Sequence, residues 1–195
     1  MELHVISHPE QRVEDLLSIW SQVEPWVDFF HLRFKEKTEM EVWEIGKVLL
    51  DTKTVPPYKL LVNSHTEVAR QLGCGGVHLP ESALVSNQPD DGFRWGRSVH
   101  SVESAIRAER EGADYIMFGH IFSTPSKQGL KPRGLEALTQ VVQAVRIPVI
   151  AVGGIHHENV QKVMETGCAG VAVISALGKG ESQMVVQELK RRGAG

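Results

Sequence analysis

Cysteine is almost absent: Cys74 and Cys168 are the only two in 195 residues. Two thiols cannot build a disulfide framework or a cysteine-rich metal site. No apolar run approaches the ~20 residues that a membrane-spanning helix needs, so no membrane partner is expected. Neither charge sign dominates, with 21 Lys+Arg against 24 Asp+Glu. That balance speaks against nucleic acid as the main partner. The opening residues Met1-Glu2-Leu3-His4-Val5 lack the basic start and apolar stretch of a secretion signal. A reduced, cytoplasmic protein is therefore expected. HExxH-type spacing is also missing, and few carboxylates accompany the histidines, so no metal site is expected. What remains is ordinary globular material, 42% hydrophobic and 23% charged, long enough for one domain over 1–195 with a sizeable core.

Strand-like and helix-like runs alternate along the whole chain. Strands are expected at 2–6, 28–33, 58–62, 76–79, 94–99, 114–119, 149–152 and 170–174. Helices are expected at 9–20, 38–51, 64–72, 101–111, 135–145, 157–165 and 181–192, with a weak helical turn after the fourth strand. Thr38 with Glu41, and Ser64 with Glu67, have capping-box spacing, and Ser101 suits an N-cap. Eight β-α units over 195 residues leave about 24 each, enough for a strand of ~5 residues, a helix of ~11 and short loops. Strict alternation implies a parallel sheet covered by helices, and eight units favour closure into a (β/α)8 TIM barrel. A weak repeat agrees. Gly73-Cys74-Gly75, Gly112-Ala113-Asp114 and Gly167-Cys168-Ala169 each put a glycine after a helix and small residues before an apolar strand. In that setting both cysteines read as small packing residues.

Barrel active sites lie at the C-terminal strand ends, so the residues there are the candidates. Strand two runs out through His31-Leu32-Arg33, strand three ends at Asn63, strand four at His78, strand five at Ser98 and His100, and strand six at Gly119-His120. Gly153 and Gly154 follow strand seven, and the Ile174-Ser175 turn follows strand eight. Loops after strands seven and eight bind phosphate in many barrels, because glycines let backbone N–H groups approach an anion. A tight turn with no ligand is the plainer alternative. The stretch from His120 to Arg133 is the longest connection after a strand. It carries Thr124, Ser126, Lys127, Lys131 and Arg133, and reads either as a lid over a charged ligand or as a surface loop. His120 opens it, placed to exchange a proton near neutral pH. Trp20, Trp26 and Trp43 either form a homodimer contact or pack helices onto the barrel.

Several spaced segments carry a resemblance over nearly the whole chain. They are His31-Leu32-Arg33, Leu61-Val62-Asn63, Gly75-Gly76-Val77-His78-Leu79, Gly96-Arg97-Ser98-Val99-His100-Ser101, Ala113-Asp114-Tyr115, 148–155 and 170–176. The sequence resembles the thiamine phosphate synthase superfamily. Its departures lie at the magnesium carboxylates: the family's Asn-Asp after strand three is Asn63-Ser64, and its acidic residue after strand four falls at Ala83. The family's Gly-Pro after strand six is Gly119-His120. With Phe118-Gly119-His120-Ile121-Phe122, Gly129-Leu130 and Arg133-Gly134, the chain is similar to the TenI-type thiazole tautomerases.

The resemblance implies an isomerase that needs no cofactor and acts on a small molecule, a carboxythiazole phosphate. It implies that His120 is the catalytic residue and that Gly153, Gly154, Ile174 and Ser175 hold the phosphate. Arg33 is the first candidate for the substrate carboxylate and Lys127 the second. Asn63 and Ser98 are expected to face the barrel mouth. Two other readings stay open: a magnesium-dependent thiamine phosphate synthase, and a non-catalytic barrel that binds a phosphorylated metabolite in regulation.

Overall fold

The computed structural model describes residues 1–84, 93–124, 127, 129–174 and 182–194. Eight parallel strands close in sequence order into one barrel: β1 (Glu2–Ile6), β2 (Phe29–Leu32), β3 (Leu60–Asn63), β4 (Gly76–Leu79), β5 (Arg94–Val99), β6 (Tyr115–Gly119), β7 (Val149–Val152) and β8 (Gly170–Val173). The ring is completed by β1 against β8, with Glu2 beside Gly170 and His4 beside Ala172. Between the strands run α1 (Val13–Val23), α2 (Glu39–Asp51), α3 (Thr66–Leu72), α4 (Val102–Arg110), α5 (Gly134–Ala144), α6 (Val160–Met164) and α7 (Ser182–Gly193). The expected barrel is therefore the observed one. Among the described residues no helix stands between β4 and β5, and no helix is long and apolar enough to cross a membrane.

Local chemistry explains most element ends. Thr38 caps α2 by accepting from the Glu41 N–H while the Glu41 carboxylate accepts from the Thr38 N–H. A cap of this kind stabilises by about 1 kcal/mol. Ser101 caps α4 in the same way through Ser104. The pairing expected between Ser64 and Glu67 does not form. Ser64 has φ of 71° and donates its N–H to the His78 carbonyl, so it belongs to the β3–β4 rim, and α3 starts later at Thr66. α1 and α6 also begin later than expected, by four residues at Val13 and by three at Val160. The repeat glycines Gly73, Gly112 and Gly167 all have positive φ, where a Cβ is disfavoured, so each stops a helix and turns the chain toward the next strand.

Strands buried on both sides must be apolar on both sides. The outward faces join the helices in one large core that includes Phe30, Leu32, Leu60, Val62, Ile116, Phe118, Val149 and Val171. Trp20 is fully buried there against Phe30, with ring centroids 4.8 Å apart, and Trp26 and Trp43 pack on the same core. Cys74 and Cys168 are buried, each with its thiol against a helix carbonyl five residues back, and burial pushes both thiols up from their ordinary pKa. The inward face is smaller and mixed. Ile6, Leu61, Tyr115, Met117, Ile150 and Ala172 form its apolar part. A Cβ at Gly96 would sit 2.0 Å from the Tyr115 ring, so that glycine is what admits a tyrosine into the barrel.

Candidate active site

Alternation along β1 sends Glu2, His4 and Ile6 to the interior. His4 there meets His31 of β2, Nδ1 to Nε2 at 2.9 Å, and His31 Nδ1 meets Asn63 Oδ1 of β3 at 3.2 Å. At the N-terminal end His4 Nε2 lies 3.2 Å from the Glu2 carboxylate, which Arg94 also approaches at 3.4 Å. A second column starts at Tyr115. Its hydroxyl lies 3.0 Å from His78 Nδ1, and His78 Nε2 lies 2.9 Å from Ser98 Oγ. Both columns run from the barrel interior to the mouth, ending on Asn63 and Ser98. Asn63, Ser98 and His78 are strand-end residues visible in the sequence, whereas His4 and Tyr115 stand behind them in the interior. The available signal was the period-two pattern of polar residues inside apolar strands.

Burial sets the charge of these rings. His4 and His31 are held below the ordinary imidazole value chiefly by burial, and His78 is pushed down to about 3 by burial first and then by His4 and Arg33. An unfolded imidazole titrates near 6.5, so between that value and about 3 the unfolded chain binds more protons than the folded one. Stability is therefore complete above about pH 6.5 and declines as pH falls toward 3, by up to about 1.4 kcal/mol per pH unit from His78. Urea midpoints measured from pH 7.5 to pH 4.5 should fall steeply for wild type and less steeply for His78→Gln. Equal slopes would contradict neutral burial of this ring.

At the rim, His120 leaves the end of β6 nearly buried, and its Nε2 lies 3.2 Å from the Leu130 carbonyl. A carbonyl only accepts, so Nε2 carries a proton, and in the neutral ring Nδ1 carries the lone pair. The loop that supplies Leu130 is tied back beneath it. Arg133 and Gly134 donate their N–H groups to the carbonyls of His120 and Ile121, and Arg133 Nε donates to the Gly119 carbonyl. The loop after β7 is joined to it by the N–H groups of Ile121 and Phe122, which donate to the Val152 and Gly153 carbonyls. Between them opens a cleft of about 440 Å³, lined by Phe122, Ser123, Thr124, Gly153, Gly154 and Ile174 with neighbours from both loops.

The predicted residues thus fall into groups. Gly154 and Ile174 line the cleft, and Gly153 lines it while also touching His120. Asn63 and Ser98 end the two interior columns. Arg33 is half-buried, with its backbone tied to Ser7, and burial lowers its guanidinium pKa; among the described residues it has no ion-pair partner. Lys127 is exposed on the loop. Ser126 and Ser175 lie outside the described residues. His100 is spent structurally: its ring meets the Gly119 carbonyl at 3.3 Å, and its N–H donates to Ser104 and Glu81.

Fold and site together define a (β/α)8 barrel with a polar rim and a two-loop cleft at the C-terminal strand ends. The chain belongs to the thiamine monophosphate synthase family, whose model matches residues 3–177. Thiamine-phosphate synthase of Pyrococcus furiosus is 33% identical over 195 residues, 98% of this chain and 94% of the relative. The Chlorobium luteolum enzyme of the same name is 38% identical over 160 residues, 80% of this chain and 76% of that one. The solved thiamine phosphate pyrophosphorylase of P. furiosus superposes with a TM-score of 0.79 at 31% identity, covering 99% of this chain and 95% of that one. The 3-hexulose-6-phosphate synthase of Salmonella typhimurium, at 15% identity and a TM-score of 0.77, covers 100% of this chain and 99% of its own and shares the fold alone.

Proposed function

We propose that this family member is a thiazole tautomerase of thiamine biosynthesis, acting in the cytoplasm on a carboxythiazole phosphate. The observation that carries the reading is His120, a rim imidazole whose Nε2 is held by the Leu130 carbonyl so that, in the neutral ring, Nδ1 is the free base. In the reaction Nδ1 takes the proton from ring carbon C2, and the imidazolium returns a proton to the exocyclic carbon. The ylidene becomes the aromatic thiazole with no net change in protons. General acid–base help of this kind contributes ~10²–10⁴-fold, and a held substrate adds more. The backbone N–H groups of Gly153 and Gly154, with Ile174 and the following Ser175, take the phosphate. Arg33 takes the carboxylate, with Lys127 as the second cation, and Asn63 and Ser98 bond the ring's edge.

The donor set weighs against magnesium. Where the family resemblance implies magnesium carboxylates, after strands three and four, this chain has Ser64 and Ala83. Ser64 is turned aside with its N–H on His78, and the Ala83 carbonyl is occupied by Arg97. The nearby Glu81 accepts from the His100 N–H. One neutral amide and one hydroxyl are poor ligands for a hard cation that must offset a diphosphate. The second reading, a thiamine phosphate synthase, is favoured by the comparisons: the family model is described as thiamine monophosphate synthase, relatives at 33–38% identity bear that name, and the solved P. furiosus structure is a thiamine phosphate pyrophosphorylase.

Absorbance of the ylidene-to-aromatic conversion, followed with EDTA present, separates the two. The expected result is metal-independent acceleration well above buffer. No acceleration, together with thiamine phosphate formed from a pyrimidine diphosphate and a thiazole phosphate only when magnesium is added, establishes the synthase.

A further inference from the structure

The column Glu2–His4–His31–Asn63 crosses the barrel from its N-terminal end to its mouth. It contains three contacts, of 3.2, 2.9 and 3.2 Å, and each contact needs one proton between its two heavy atoms. If both ends are oxygens, a Glu2 carboxylate and an Asn63 carbonyl, the two rings must supply three protons. Two neutral imidazoles have only two. The third proton would make one ring an imidazolium in the fully buried interior, where His4 and His31 are 0% exposed. A half-turn of the Asn63 carboxamide removes the conflict, because it exchanges oxygen for NH2 at the same place. The amide then supplies the third proton itself.

We propose that Glu2 sets one direction along this column and thereby orients Asn63. His4 donates from Nε2 to Glu2, His31 donates from Nε2 to His4 Nδ1, and Asn63 donates its NH2 to His31 Nδ1. The Asn63 carbonyl oxygen is thereby turned to the mouth, where it accepts from an O–H of water held there. Glu2 is a positioning residue in this account, acting through two rings on a group it does not touch.

The surroundings agree. Arg94 holds Glu2 as a carboxylate from the other side, and Glu2 is kept below the usual carboxylate range by His4 first and Arg94 after it. Among the described residues, the remaining groups facing the rings offer no competing acceptor. Tyr115 and Phe29 present ring faces to His4, with centroids 5.6 and 5.1 Å away. His78 meets His31 edge-on at 5.4 Å with both of its own nitrogens engaged. Asp28 is occupied by Lys190 and the Leu3 N–H.

The inference concerns the resting protein and is independent of the reaction proposed above. It is tested by long-range 1H–15N correlation spectra of the full chain at pH 7, which distinguish Nδ1–H, Nε2–H and imidazolium forms of each ring. The expected wild-type result is Nε2–H for both His4 and His31. An imidazolium, or Nδ1–H at either ring, overturns it, and no variant is needed for that reading. Two substitutions then test the direction. Glu2→Gln keeps an acceptor that Arg94 can hold and should leave both tautomers as in wild type. Asn63→Asp puts acceptors at both ends and should bring in the third proton, either on a ring, seen as one imidazolium, or on the introduced carboxyl, which leaves both rings Nε2–H. Neutral Nδ1–H rings in Asn63→Asp, a column running toward the mouth, would overturn the proposal as firmly as a wrong wild-type spectrum.

Discussion

His120→Ala should lower the rate of ylidene-to-aromatic conversion by ~10²–10⁴-fold, the usual worth of one positioned acid–base group. The loss should appear in kcat, with KM changed little, because the phosphate and carboxylate contacts come from other residues. The fold should survive. The side chain gives up one hydrogen bond at the rim, to Leu130, and contributes nothing to the helix-facing core. His120→Gln separates hydrogen bonding from base strength. Its carboxamide can still donate to Leu130 yet offers no comparable base, so it should be nearly as slow as alanine. Turnover, KM and thermal melting of the three proteins measured together decide this. Wild-type kcat in His120→Ala would remove the histidine from the chemistry.

Gly153→Ala should damage the same step from the neighbouring loop. Gly153 has φ of 103°, which L side chains rarely adopt. A Cβ there would lie 2.4 Å from His120 Cβ and 2.7 Å from its Cα, so backbone has to move. The strain costs about 1–3 kcal/mol of stability. The functional loss should be larger than the stability loss implies. Moving a reacting group by ~1 Å can cost about 10²-fold, and here the displaced backbone is that of His120 itself. KM should rise as well, since the Gly153 N–H belongs to the proposed phosphate cradle. A lower kcat with a higher KM, and a melting temperature lowered by several degrees, is the expected pattern. Wild-type kinetics with an unshifted melt would show that the two loops are not coupled as described.

The coupling between these residues illustrates what could be read from the chain. Their positions at strand ends were legible, because apolar runs punctuated by glycine show where β6 and β7 stop. That Gly153 lies against His120 was not legible. It depends on the β6–β7 register, in which Gly119 pairs with Val152, and no local pattern states that pairing. The partner of His120, the Leu130 carbonyl, was equally hidden, since it depends on how a ten-residue stretch of loop folds back. Ser64 shows the same limit from the other side. Its spacing to Glu67 satisfied a helix-capping rule, but the neighbouring strand offered the His78 carbonyl, and that rim contact prevailed over the local cap.

By itself, the sequence determined the number and order of strands and most of the helices between them. Parallel strands require long crossovers, and eight apolar runs separated by helix-forming stretches have few other ways to bury themselves. It also determined the caps at Thr38 and Ser101 and the helix-ending glycines, which act within a few residues of themselves. Tertiary structure alone decided the polar interior. Glu2 and His4 are two residues apart, but His31 lies 27 residues beyond His4 and Asn63 another 32 beyond that. They form one hydrogen-bonded line only because barrel closure fixes the stagger of β1, β2 and β3. Period-two patterning tells which side chains face inward; the stagger tells which of them meet, and it is set by the packing of all eight strands at once.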